Sequence, residues 1–546
     1  VSNRRTVLIA AALALLYFGI QLVYILSLPL VMDEFDGANE AYQLLQVTPY
    51  QDYRPYKTVL GYYLQLPPLL VTSDPWTGLM ASKMWLAAIN TAAIFAASLT
   101  LAALFSPASA LVGQLLLIGM STFLERSSEL RVDMLTAWFG LASFLLLLNR
   151  RWLAAGAVAG LGFLVSQKGL YFILSANAAA AAFWWIESRD RRTVRDLVVL
   201  NAGTAVVIAG YIAFWGLLSS PWAVFSATFL SHGNIVFNDF YELEGHWTRT
   251  LAKNPFFYWG ALTGMAGLAA ARWRGLVGGT HLMTAVYAGV LFALCRWHKQ
   301  PWPYFFVLLI PTLMVVHVAV AEVVIRHRAR LRIAGAFVLV LGVAWPFSYM
   351  PGIVSRDHAY QRHVIRLASA MLGEGETYLA GNDLIYTRHQ AHPALRRLGA
   401  AHVEAMRTWP QDRIDTLIAE IETARPKLII NDYRMRGLPG PIQRYFDTRF
   451  DFLWSSVRGY APLVNTNERE FEIWFDGDYR IDIPEGMAMI NGSRVEPGTT
   501  LTLPRGRHRN DSTGPVRLRL RPPGFEDHAD PQMQRRQALF TGVYDY

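Results

Sequence analysis

Asp33, Glu34, Asp36 and Glu40 stand just beyond the first long apolar run, in and after Val31-Met32-Asp33-Glu34-Phe35-Asp36-Gly37. Carboxylates set against a membrane surface are costly to bury and often functional. Later loops return ionisable groups to the same side: Tyr53-Arg54-Pro55-Tyr56-Lys57, Glu125-Arg126, Arg131-Val132-Asp133 and Gln167-Lys168-Gly169. A fourth loop carries His232, Asn234, Asp239, Glu242, Glu244, His246 and Trp247. A fifth runs Arg296-Trp297-His298-Lys299-Gln300-Pro301-Trp302-Pro303-Tyr304. Lysine and arginine pair with phosphate oxygens, a carboxylate takes a proton from a hydroxyl, and amphipathic rings line the way in for a lipid tail. The set suits chemistry between an anionic lipid and a sugar.

Each group also has a plainer reading. Asp33 and Glu34 can mark where the chain returns to water, and Trp and Tyr near span ends can be interfacial anchors. A lysine at a span end can snorkel. Single histidines such as His232 and His298 can be ordinary loop residues. Asp133 opens an apolar run and can serve as a helix cap, although Asn or Ser would do so at lower desolvation cost.

The elements that must hold these groups are of membrane length. The run from about 7 to 30 is enough to cross about 30 Å of hydrocarbon. Further apolar runs at about 82–105, 109–124, 134–149, 153–166, 169–186, 197–219, 255–270, 277–295, 303–325 and 333–350 predict about eleven spans. Of the 546 residues, 53% are hydrophobic and only 17% charged, which also favours a polytopic membrane protein. The net charge of +9 is spread over short loops, so membrane orientation explains it and nucleic acid is not an expected partner. Arg4-Arg5, Arg150-Arg151, the Arg189-to-Arg195 cluster, Arg272 with Arg274, and the Arg326-to-Arg332 cluster fall on one side, which the positive-inside rule makes cytoplasmic. Cys295 is the single cysteine, so no intramolecular disulfide forms. The first run lacks a small-residue cleavage site and reads as a retained span rather than a signal peptide.

From Pro351 onward the chain reads as soluble, and an odd span count puts it outside, in the periplasm if the source is a Gram-negative bacterium. Ile414 to Ile421 has helical spacing and runs into a buried-strand pattern at Pro426-Lys427-Leu428-Ile429-Ile430-Asn431-Asp432. Phe471 to Phe475 and Tyr479 to Ile483 alternate, with Gly477-Asp478 expected as a turn between them. The β pattern continues at Ile490 to Ser493 and Val516 to Leu520. These patterns divide the chain into a transmembrane catalytic domain at 1–350, an α/β domain at 351–465 and a β-rich module at 466–546. The last twenty residues are expected to be disordered.

The loop motifs resemble those of polyprenyl-phosphate-dependent glycosyltransferases of the GT-C fold, the group with lipid A aminoarabinose transferases and protein O-mannosyltransferases. Asp33-Glu34-Phe35-Asp36-Gly37-Ala38 resembles the acidic first-loop motif, whose leading Asp is the catalytic base. Tyr56-Lys57 followed by Leu66-Pro67-Pro68 resembles the lysine segment that contacts the lipid phosphate, and Arg131-Val132-Asp133 matches the second-loop acid. Gly162 to Gly169 is similar to the Gly-Leu-x-x-x-Thr-Lys-Gly stretch. Gly245-His246-Trp247 ahead of Asn254-Pro255-Phe256-Phe257-Tyr258-Trp259, and Lys299-x-x-Trp302-x-Tyr304 with Pro311, resemble two later motifs. One departure is Tyr56, which stands where metal-binding aminoarabinose transferases have an acid.

The resemblance implies a multi-pass inner-membrane enzyme of a bacterium. It would move a monosaccharide, with inversion, from a polyprenyl-phosphate donor to a lipid, glycan or protein acceptor outside the cytoplasm. Its implied catalytic set is Asp33, Asp133 and Glu34, with Lys57, Arg131, Lys168, Lys299 and Tyr304 on the lipid phosphate. His246 and Glu34 are candidate ligands for a divalent metal, although no cofactor is expected to be strictly required. The absence of a G-x-x-x-x-G-K-[ST] loop fits a donor that is not a nucleotide. A lipid-linked oligosaccharide ligase or polymerase would share this donor chemistry. A flippase or transporter would place its ionisable groups nearer the bilayer midplane, on broken helices.

Overall fold

Apolar helices of unequal length make up the first two-thirds of the chain in a computed structural model. It describes residues 4–230, 244–327, 339–340, 342–344, 347–396, 398–483, 487–522, 525 and 539–540. Among these, α1 (Arg4–Ser27), α4 (Pro75–Leu104), the helical stretch Gln167–Ser188 containing α9 (Leu170–Phe183), and α10 (Arg191–Leu218) are long and apolar enough to cross a membrane. Between them lie the juxtamembrane helix α2 (Met32–Gln43), the short α3 (Leu60–Gln65), and the shorter apolar helices α5 (Pro107–Ile118), α7 (Val132–Leu148) and α8 (Trp152–Val165). Helices Pro255–Trp273, Gly279–Trp297 and Ile310–His327 complete the apolar bundle.

The expected run at 109–124 is not one span. Its helix α5 starts at Pro107, with the Ser106 hydroxyl accepting the Ser109 N–H, and stops at Gly119; the chain restarts as α6 (Ser121–Arg126). At 1.5 Å per residue α5 reaches roughly 18 Å, well short of the hydrocarbon thickness. Half of the run at 333–350 lies outside the described residues, and so do His232, Asn234, Asp239 and Glu242.

Several polar groups inside the bundle pair across helices, as a water-free interior favours. Asn90 on α4 donates to the Tyr17 hydroxyl of α1 (3.2 Å) and to the Ser127 carbonyl (2.8 Å), while accepting from Trp138 Nε1 of α7 (2.7 Å). Small residues set the closest helix approach: a Cβ on Gly156 of α8 would lie 1.8 Å from the Leu200 carbonyl oxygen of α10. Two of the arginine-bearing loops meet near the end of the helical stretch Gln167–Ser188, where Arg272 pairs with Glu187 and Arg150 lies over the Phe183 ring at 3.7 Å.

The soluble part holds a sheet in the order β1 (Tyr378–Ala380), β2 (Leu428–Ile430), β4 (Val457–Tyr460), β3 (Phe450–Trp454). β1 and β2 are parallel and the other pairs antiparallel. The amphipathic helix Gln411–Ala424 leads into β2, burying Ile414, Leu417 and Ile421. Beyond β5 (Leu463–Val464) come β6 (Glu470–Ile473) and β7 (Gly477–Asp482), followed by β8 (Ala488–Ile490) and β9 (Ser493–Val495). The chain then adds β10 (Thr500–Leu503), β11 (Gly506–Arg509) and β12 (Val516–Arg521). Gly477-Asp478 is not a hairpin turn. It begins β7, which pairs with β10 and β12, whereas β6 pairs with β11, so the two strands enter different sheets. The tight hairpin is instead β8–β9, where Asn491 (φ 52°) and Gly492 (φ 75°) take the left-handed conformation of a type I′ turn.

The soluble part is joined to the membrane face by a continuous apolar core. Phe35 and Ala38 of α2, Trp76 and Leu79 of α4, Val364 and Ile365 of helix Ala359–Met371, and Leu428 and Ile430 of β2 bury one another. Within the tail expected to be disordered, Phe540 is buried against Phe35, ring centroids 5.9 Å apart. The neighbouring residues 526–538 and 541–546 lie outside the described residues.

Candidate active site

Asp133 sits in the first turn of α7, where a carboxylate also suits the positive end of a helix. Its side chain is only 1% exposed and meets three cations: Lys168 Nζ at 2.5 Å, Arg131 Nε at 3.2 Å and Lys57 Nζ at 3.6 Å. Arg131 also pairs with Asp33 through its terminal nitrogen, so one guanidinium bridges the two acids. The Asp33 side chain is 39% exposed, which sets it apart from Asp133. The Arg131 guanidinium lies 3.3 Å from the centroid of the Tyr304 ring, and Lys168 Nζ lies 5.0 Å from it. Five separate stretches of chain thus converge on one spot.

Close backbone packing brings them there. A Cβ on Gly37 would lie 2.4 Å from the Leu130 carbonyl oxygen, so α2 lies directly against the loop that supplies Arg131. Gly61 of α3 leaves room for Val132 and the Val165 carbonyl, and Gly169 lets the Lys168 turn fold back on Phe163. Glu34 is the tie between elements. It accepts from Lys83 Nζ of α4 (2.5 Å), the Leu130 N–H (3.0 Å) and the Val31 N–H (2.8 Å). None of these three partners is a cation of the Asp133 cluster, so Glu34 ties the elements beside Asp33 together rather than joining the cluster.

Electrostatics separate the groups further. Burial raises the Asp33 pKa, but Arg131, with help from Arg434 and Lys57, outweighs it and holds the carboxyl below its ordinary value. Burial, only partly offset by Asp133 and reinforced by Lys168 and Arg131, pushes Lys57 down to about 8. Asp33 is therefore ionised at neutral pH, with Lys57 poised to lose its proton in mildly alkaline solution.

Asp33, Asp133, Lys57, Arg131, Lys168 and Tyr304 come together; Glu34, His246 and Lys299 do not join them. Lys299 is exposed after helix Gly279–Trp297 and forms no ion pair with Asp33 or Asp133. His246 packs its ring 5.5 Å from Trp302, and burial with Arg249 and Arg126 lowers its pKa. Among the described residues no three His, Cys, Asp or Glu side chains gather to hold a metal, and Glu34 is committed to Lys83. The described residues therefore do not fit His246 and Glu34 as a shared metal site.

Arg434 is the group that sequence reasoning missed. It follows β2 of the soluble part, and its charge acts on Asp33 and Asp36. The Asp432 carboxylate caps its turn, accepting the N–H groups of Arg434 (2.9 Å) and Met435 (2.8 Å). Its position after the carboxyl end of a predicted strand, where α/β sheets place ligand-facing residues, was the available signal.

No family model matches the chain. A DNA polymerase from Thermococcus hydrothermalis is 25% identical over 27% of this chain, which spans only 11% of that relative's length. Among solved structures, ArnT from Cupriavidus metallidurans in the apo state aligns with a TM-score of 0.55 at 13% identity, covering 78% of this chain and 93% of that one. ArnT from the same organism bound to undecaprenyl phosphate aligns with a TM-score of 0.48 at 15% identity, over 67% and 70% of the two chains. The Archaeoglobus fulgidus oligosaccharyltransferase in complex with Zn and sulfate gives 0.44 at 13% identity, over 92% and 75%. With apolar helices of membrane length and a β-containing C-terminal part, the chain is a multi-pass membrane protein of the GT-C fold.

Proposed function

We propose that the protein is an inverting glycosyltransferase that moves a monosaccharide from a polyprenyl-phosphate donor to an acceptor hydroxyl outside the cytoplasm. The observation that carries this reading is the cluster of Lys57, Arg131 and Lys168 around the buried Asp133, beside the accessible Asp33. Three cations face two carboxylates there, leaving positive charge for a phosphate. The GT-C fold shared with apo ArnT and the loop motifs that resemble this enzyme group support it.

In this mechanism the acceptor oxygen attacks the anomeric carbon as the bond from that carbon to the phosphate oxygen breaks. The phosphate leaves with the bonding electron pair, and the acceptor proton passes to Asp33. Fixed cations stabilise the charge growing on the phosphate more in the transition state than in the ground state. Asp133 holds the three cations in place, and Tyr304 backs the Arg131 guanidinium. The soluble part is periplasmic in a bacterial inner membrane, a placement supported by the arginine-rich loops at the opposite end of the bundle.

The test is direct. Purified protein in lipid nanodiscs should release polyprenyl phosphate from a synthetic polyprenyl-phosphate monosaccharide when an acceptor extract is added. Unchanged donor across acceptor lipids, glycans and proteins would overturn the transferase reading.

A further inference from the structure

Away from the cation cluster, a cavity of about 100 Å³ opens between α2 and the 386–396 loop of the soluble part. Asn39, Gln43, Gln46, Arg388, His389 and Arg396 supply its polar wall, and no carboxylate lines it. Arg396 is fixed there because its Nε donates to both oxygens of Asp383, at 2.8 and 3.0 Å. Asp383 also accepts from Asn39 Nδ2 of α2 at 2.9 Å, so the wall is braced from both sides. Arg388 differs. Its Nε is buried and meets no acceptor among the described residues.

A buried donor on a charged group is costly to leave unpaired. Asp383 already balances the Arg396 charge, so the Arg388 guanidinium beside the His389 imidazole is the part of the wall that an oxyanion complements, since the guanidinium fork matches paired oxygens. Tyr386, also in the lining, keeps the loop close: its hydroxyl sits where a Cβ on Gly78 of α4 would fall, and its ring lies 5.1 Å from Tyr42. The cavity is therefore held by the same docking that places Arg434 near Asp33.

We infer that this cavity is an oxyanion subsite for a phosphate or carboxylate group carried by the acceptor. The anion site stands on the cavity alone, whereas its assignment to the acceptor rests on the transferase reading. Asn39 and Gln43 follow Asp33 along α2 by roughly 9 to 15 Å at 1.5 Å per residue. One acceptor with its reacting hydroxyl at Asp33 and its charge in the cavity is accordingly an extended molecule, longer than a single sugar.

Calorimetric titration of the full chain in nanodiscs tests this with inorganic phosphate, glucose 6-phosphate, glucuronate and neutral glucose. Wild type should show two phosphate sites. Arg388→Gln should weaken one at least tenfold and leave the other, while Lys57→Gln should do the reverse. Gln46→Glu is the second variant: Gln46 is exposed, so the change preserves the fold while placing a negative charge at the rim, and it should weaken the Arg388-dependent site too. Glucose 6-phosphate or glucuronate should bind at that site and glucose should not. Titrations unchanged by both Arg388→Gln and Gln46→Glu would overturn the subsite. Arg388-dependent binding of inorganic phosphate without either sugar anion would overturn its assignment to the acceptor. If only Lys57→Gln has no effect, the donor-phosphate reading fails while the subsite stands.

Discussion

Asp33 and Asp133 have the same functional group and opposite exposure, which divides their roles. In the proposed reaction the more exposed Asp33 reaches the acceptor hydroxyl, whereas Asp133, enclosed by three cations, holds the proposed phosphate site together. Asp133→Asn is expected to destabilise the protein by roughly 3 kcal/mol, because it leaves buried cations without their counter-charge; thermal unfolding in detergent checks this. Lys57 gives a pH signature. It is charged below about 8 and neutral above, so donor affinity should fall as pH rises through that value. Lys57→Arg should remove the inflection, since a guanidinium does not titrate there. Lys57→Ala should weaken donor binding more than Lys299→Ala, because Lys299 lies outside the Asp133 network.

Elements hold these residues to their positions through a few close contacts. Gly37 permits α2 to lie on the Leu130 carbonyl, and the motif Asp33 to Ala38 reads as acidic without revealing why its glycine matters. Gly37→Val should force α2 away, costing about 1–3 kcal/mol from overpacking and lowering turnover more than donor affinity. Thermal unfolding and donor titration on one preparation separate those effects. The acidic loop, the second-loop acid and the Lys168 turn were legible because span ends and charge alternation order the loops along one face. Glu34 was legible only as an acid. Its partner Lys83 lies inside an apolar helix, and a carboxylate aimed at Lys83 rather than at the cluster is set by tertiary packing. The break after Gly119 was equally hidden, since apolar composition continues across it.

At the scale of the whole molecule, the soluble part is packed against the membrane face rather than tethered to it. Gln361 of helix Ala359–Met371 donates to the Leu30 carbonyl (2.9 Å) and accepts the Leu30 N–H (2.8 Å), binding the elbow just before Asp33. Asn382 donates to the Met32 carbonyl at 2.7 Å. Gln361→Leu should strand these buried backbone groups at about 1–3 kcal/mol each, and limited proteolysis should then cut faster at the junction. The helix-to-strand step at 411–430 was visible in periodicity, whereas pairings such as β6 with β11 depend on long-range register that local pattern does not carry. Arg434 belongs to the same class: its place beside Asp33 arises from docking two distant parts of the chain.

In the proposed mechanism Asp33 is the group that receives the acceptor proton. Asp33→Asn keeps the volume and a hydrogen-bonding side chain while removing the base. The decisive measurement is turnover of a synthetic polyprenyl-phosphate monosaccharide by this variant, alongside its donor affinity. The prediction is a loss of about 10² to 10⁴ in turnover with donor affinity nearly unchanged. Turnover within a few-fold of wild type would contradict the assignment.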